Sequence, residues 1–257
     1  MMLQDALAWT ALGDVHHAMS SLEDAVEAYG RAVATHNMAA PPEVPALKTL
    51  VRLGGLFLQL SKVDAAKDIF LQGAGAWQCC SMWLGAGIAL LRLERFGDSE
   101  AALQEANVRN NENPVVWGYI CLLCLAVGEA RLEQANKAQA VASRLGLKDP
   151  TLLRELANAY TEIDRLETAE ALFRRSLAVD ETSSHTRRRL ADVLSAQNAY
   201  VDAVNEYLKV VDAFKKGGGA ADKAECLAAI AQCEKLLKSL GRADEIKPLL
   251  ELQQTIA

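Results

Sequence analysis

The sequence predicts an all-α protein, a right-handed superhelix (an α-solenoid) of about seven stacked helical hairpins. Three observations predict it. Apolar and small residues recur about every 34 positions, as between Trp83 and Trp117 in "WLGAGIALLRLERFGDSEAALQEANVRNNENPVVW". Alanine and leucine dominate and only 6 prolines appear, which favours helix almost everywhere. With 51% hydrophobic and 23% charged residues the composition is globular, which excludes wholesale disorder. At 257 residues the chain is longer than one ordinary domain needs, and the repeat favours an array over an irregular bundle.

The units follow one another along the whole chain, residues 1–257. The first, near residues 6–39, carries Trp9, Leu12 and Gly13, then Ala25, Tyr29 and Ala32. The second, near 47–79, repeats the pattern with Leu50, Leu53, Gly54, Phe57, Ala66, Phe70 and Gly73. The third, near 80–113, supplies Trp83, Ala86, Gly87, Leu90, Ser99, Leu103 and Ala106. In the fourth, near 114–149, Trp117, Ile120, Cys121 and Cys124 precede a two-residue insertion, then Ala135, Gln139 and Ala142. The fifth, near 150–183, has Leu153, Leu156, Ala157, Tyr160, Ala169, Phe173 and Ser176. The sixth, near 184–216, has Leu190, Ala191, Leu194, Ala203, Tyr207 and Val210. A looser seventh occupies 220–257, with Ile230, Ala231, Ala243 and Leu250. These offsets resemble the tetratricopeptide signature of Trp, Leu-Gly and Tyr, then Ala, Phe and Ala.

The spacing has a mechanical cause. Each unit is two antiparallel helices joined by a short turn, with the small residue of one helix facing the Ala of the other. A large side chain at that crossing would push the axes apart. No hairpin can bury both of its faces, so stacking is obligatory. Departures from the period mark connections. "THNMAAPPEVPALK" adds about seven residues after the first unit, and its prolines force a long or ordered link. Gly217, Gly218 and Gly219 form a flexible joint before a long helix from Ala220 to Leu240. Pro248 starts or kinks the last helix. No polar, capping stretch precedes the first unit, as expected of a segment cut from a longer chain.

Chemistry is scarce. The net charge of -6 argues against a nucleic-acid binder, and no apolar run is long and charge-free enough to span a bilayer. The start "MMLQDALAW" lacks the build of a signal peptide. Cys79, Cys80, Cys121, Cys124, Cys226 and Cys233 sit in Leu- and Ala-rich helical text, where a free thiol is a small hydrophobe; that points to a reducing compartment. The histidines, His16, His17, His36 and His185, share no metal-binding face. No catalytic constellation, metal site or cofactor is expected.

Recognition remains, and in such arrays the second, fifth, ninth and twelfth positions of each first helix point into the groove. In the middle of the array these are Val51, Leu84, Ile88, Leu91, Val115, Leu122 and Leu125. An apolar strip of that kind marks a partner, self-association or the chain's own terminal segment folded into the groove, unless it is simply the core of the superhelix. Further on they become basic and polar: Arg154, Asn158, His185 and Arg188, with Arg189 beside them. An Arg–Asn pair followed by Arg suits a carboxylate. The carboxylate clamp of chaperone-binding relatives is only partly present, since Thr10, Asp14, Val51 and Gly55 stand where it needs Lys and Asn.

From "WLGAGIALL" through "LGLKDPTLLRELANAY" the text is similar to the C-terminal repeat domain of a family of cilia- and flagella-associated proteins. The similarity covers roughly residues 80–160 and rests on "EAN", the Asn110–Asn111 turn and the Trp opening the next unit. It implies an axonemal protein, cytoplasmic and ciliary, that supports assembly or regulation of motile cilia. Its partners would be other ciliary proteins. The expectation is therefore a non-catalytic scaffold; the alternative is a cytosolic adaptor for an acidic peptide tail.

Overall fold

A computed structural model describes residues 2–35 and 44–256. The proline-bearing link expected after the first unit falls largely on residues 36–43, outside the described residues. Among the described residues the chain forms 14 α-helices and two short 3-10 turns, with no strand. It divides into two compact units, Met1–Leu145 and Gly146–Ala257. The first holds α1 (Met2–Ala18), α2 (Leu22–Thr35), α3 (Val44–Gln59), α4 (Val63–Trp77), α5 (Cys80–Arg92), α6 (Phe96–Arg109), α7 (Pro114–Val127) and α8 (Leu132–Arg144). The second holds α9 (Pro150–Glu162), α10 (Leu166–Val179), α11 (Ser184–Ala196), α12 (Tyr200–Lys215), α13 (Ala220–Ser239) and α14 (Lys247–Ile256). Within each unit, every helix packs against the next.

The hairpins close as the small-residue pattern requires. A Cβ added to Gly13 would lie 2.6 Å from the Tyr29 ring, and one added to Gly87 would lie 2.7 Å from Leu103. Ala157 and Ala191 take the same place opposite Phe173 and Tyr207, all at most 1% exposed. A large side chain on the second helix thus fills the space that a small one on the first leaves open.

The turn inside each hairpin is equally regular. Seven residues after the small position the backbone turns left-handed: Ser20, Ser61, Glu94, Asp164 and Asn198 have φ between 57° and 63°, and Gly128 has φ 119°. The next amide then bonds back across the helix end, as Arg95 N–H does to the Leu90 carbonyl at 3.0 Å and Arg165 N–H to that of Tyr160 at 2.9 Å. This satisfies carbonyls that a helix end leaves orphaned. The non-glycine residues accept roughly 1–2 kcal/mol of backbone cost to do so.

Between hairpins the caps are side chains. Asn113 accepts from the Val115 amide and Asp149 from those of Thr151 and Leu152, each with proline opening the helix that follows. The insertion of the fourth hairpin is the 3-10 turn Glu129–Arg131. Pro248 is the second residue of α14 and so starts that helix. Cys121, Cys124, Cys226 and Cys233 are buried free thiols, and Cys79 and Cys80 are half-buried. Burial pushes the Cys233 thiol up to about 11, so it stays protonated.

Candidate partner-binding site

In the first unit, α3 touches α5 and α5 touches α7, so the first helices of three hairpins lie side by side. Val51 of α3, Leu84, Ile88 and Leu91 of α5, and Val115 and Leu122 of α7 are all half-buried. Leu125 differs from the sequence expectation. Only 8% of it is exposed, because it stands one helical turn beyond Cys121 on the buried face of α7; it belongs to the core.

Next to this strip lies a polar patch. Asp14 accepts from the Tyr29 hydroxyl at 2.5 Å and from the Arg52 guanidinium at 2.5 Å. With His17, Gly55, Leu56 and Gln59 they line a pocket of about 440 Å³. Burial, then the hydrogen bond to Asp14, pushes the Tyr29 hydroxyl up to about 12. Arg52 stands one place beyond the groove positions read from the sequence, which is why it escaped notice.

The second unit assembles the basic set but answers it internally. Asp192 accepts from the Tyr207 hydroxyl at 2.6 Å and from Arg188 Nη1 at 2.8 Å. The spacing from Asp to Tyr, fifteen residues, is the one seen between Asp14 and Tyr29. Arg188 Nε also bonds to Glu225 of α13, and His185 Nδ1 lies 2.8 Å from the other oxygen of that carboxylate. Arg189 donates to Asn158 Oδ1 at 3.0 Å, and Arg154 is half-buried nearby on α9. Burial works to raise the Glu225 carboxyl, but the bonds from His185 and Arg188 outweigh it and hold the group below the usual carboxylate range. Glu225 is the residue that sequence reasoning missed. Its own helix carries the loosest copy of the repeat, so its register was not readable.

These groups offer donors, acceptors and apolar surface. Among the described residues no group of three or more His, Cys, Asp or Glu side chains could hold a metal ion. Nor, among the described residues, is any helix long and apolar enough to cross a membrane.

Comparison with known proteins fits this picture. The chain is 42% identical over 106 residues to cilia- and flagella-associated protein 70 of Macaca fascicularis, a match covering 41% of this chain and 10% of that protein. The human protein of the same name matches at 42% over 106 residues, 41% of this chain and 9% of its own length. The matched segment is thus about a tenth of these relatives. Among solved structures, the Cut9–Hcn1 hetero-tetramer of APC/C aligns with a TM-score of 0.65 at 10% identity, over 88% of this chain and 43% of that one. PilF of Pseudomonas aeruginosa aligns at 0.58 and 18% identity, over 81% and 91%. At such identities these two show a shared fold of tetratricopeptide type. The model of the cilia and flagella-associated protein 70 C-terminal domain matches residues 2–232, and the chain belongs to that family.

Proposed function

We propose that this chain is a non-catalytic docking scaffold of motile cilia and flagella, which holds other axonemal proteins through the apolar strip of its first unit. The observation that carries the reading is the strip itself. Val51, Leu84, Ile88, Leu91, Val115 and Leu122 come from three helices in contact, all half-buried and all apolar. A monomer that keeps such a patch accessible loses solvation for no structural return, and a partner's helix or extended segment recovers it. Membership of a cilia- and flagella-associated family supports the location. The relatives' much greater length is compatible with a segment that supplies one interaction surface of a larger machine.

An acidic peptide tail fits less well. Arg188 and His185 already hold the Glu225 carboxylate, and Arg189 holds Asn158. A tail would have to displace these bonds before gaining its own.

The test is capture of ciliary proteins by the chain and by Leu84→Asp and Leu122→Asp, with helicity followed by circular dichroism. Loss of specific partners at unchanged helicity is expected. Equal yield from both variants would remove the strip as the docking site. Loss instead on Arg188→Glu, together with strong salt dependence, would favour the acidic tail.

A further inference from the structure

The polar pocket beside the strip is built from two hairpins, and its groups are not used up. Asp14 takes both of its bonds, from Tyr29 and from Arg52, on Oδ1. The Asp14 side chain stays 44% exposed and that of Arg52 46%, so an acceptor and a donor remain available side by side. His17 and Gln59, both exposed, and the buried Leu56 complete the lining with Gly55. The two adjacent glycines of α3 differ in what requires them. A Cβ on Gly54 would lie 2.5 Å from the Phe70 ring, so packing demands that glycine. A Cβ on Gly55 would meet nothing within 4 Å, although a helix interior disfavours glycine. Packing does not account for Gly55. Its effect is to leave one wall of a pocket of about 440 Å³ without a side chain.

We infer that this pocket receives the main chain of an extended partner segment, with a carbonyl turned to Arg52 and an amide N–H turned to Asp14. Charge decides the ligand class. A lone carboxylate would be drawn to Arg52 and repelled by Asp14, and a lone ammonium group the reverse. A peptide group carries an acceptor and a donor without net charge, so it meets both. Bonds from charged partners are the stronger kind. The bare wall at Gly55 lets a second backbone come close, which any larger residue would prevent. A partner helix does not suit the pocket, because its N–H and C=O groups are already bonded to one another. The pocket chemistry stands by itself, whereas the segment's onward course over Val51 and Leu84 rests on the proposed docking strip.

The experiment enriches linear dodecapeptides from a random display library on the 257-residue chain and measures binding of the best synthetic peptides by fluorescence anisotropy. Gly55→Leu, which fills the open wall, should weaken binding at least tenfold at unchanged helicity. Gly30→Leu, at a glycine that also meets nothing within 4 Å but lies outside the pocket, should leave it. Methylating the peptide's amide nitrogens one at a time should cost at least tenfold at one or two positions, a readout that does not depend on how the glycine variant folds. No enriched peptide, or equal binding by Gly55→Leu, would overturn the inference. So would a bound peptide that is helical by NMR. A peptide that tolerates every methylation but fails when one Asn or Gln is replaced would overturn it too, and assign the pocket to a side-chain carboxamide. Leu84→Asp separates the pocket from the strip. Loss there with binding kept by Gly55→Leu sinks the pocket and leaves the proposed function standing; the converse keeps the pocket and removes the strip.

Discussion

The two compact units use one hairpin geometry to opposite ends. In Met1–Leu145 the inward positions of α3, α5 and α7 are aliphatic and stay half-buried. In Gly146–Ala257 the equivalent positions are polar or charged, and His185, Arg188 and Asn158 among them are tied up through Glu225, Asp192 and Arg189. The crossing positions scarcely differ in size: glycine in the first three hairpins, cysteine in the fourth, alanine in the fifth and sixth. Packing dictates the crossings, and the groove is left free to vary. On the proposed reading the first unit keeps its groove for a partner, whereas the second spends its polar groups on internal order.

That comparison can be broken most forcefully at the shared core. Tyr29→Ala and Tyr207→Ala each empty the space between a small residue and the next hairpin, at 2% and 1% exposure. Each should cost on the order of 3–5 kcal/mol in denaturant unfolding, with similar values in the two units. A cost confined to one unit would show that the hairpins are not mechanically alike.

Glycine substitutions come next. Gly87→Ala puts a methyl group 2.7 Å from Leu103 and should destabilise by roughly 1–3 kcal/mol. Gly30→Ala meets nothing within 4 Å and should be neutral, or stabilising by up to about 1 kcal/mol as an ordinary helix substitution. Equal costs at the two sites would sink the crossing argument.

Acid should separate the units. Glu225 has a lowered folded pKa, so its contribution is present above about pH 4.3, the unfolded value, and is lost as pH falls through the folded one. Unfolding of the second unit, followed from pH 6 to pH 3, should weaken in that window, and Glu225→Gln should flatten the change. At the alkaline end Tyr29 works in the other sense. Its raised pKa contributes fully below about pH 10 and is lost as pH climbs towards about 12.

Apart from the Gly30→Ala control, the smallest expected effect on stability is at the strip. Leu84→Asp should cost no more than about 1 kcal/mol, since the side chain is only half-buried. A much larger loss would move Leu84 from the docking surface into the core, where Leu125 already lies.

The contrast between Leu84 and Leu125 shows what could be read in advance. Both occupy groove positions by register, and register assigns a face but says nothing of what folds over it. Leu125 lies one helical turn beyond Cys121 on the buried face of α7, whereas Leu84 stays half-buried on α5. Arg188 makes the same point from the polar side. Its type and face were evident, but the carboxylate that engages it comes from α13, 37 residues away. The left-handed turn residues were likewise invisible. Ser20, Glu94 and Asn198 carry a hydroxyl, a carboxylate and an amide, and share only a distance from the crossing.

By itself the sequence determined the helices, their pairing and the tight crossings, because those follow from local periodicity and from side-chain size. The tertiary structure alone decided which groove residues stay half-buried and which charges are already answered. Those depend on what packs above each residue, and that neighbour is set by the fold and not by the residue.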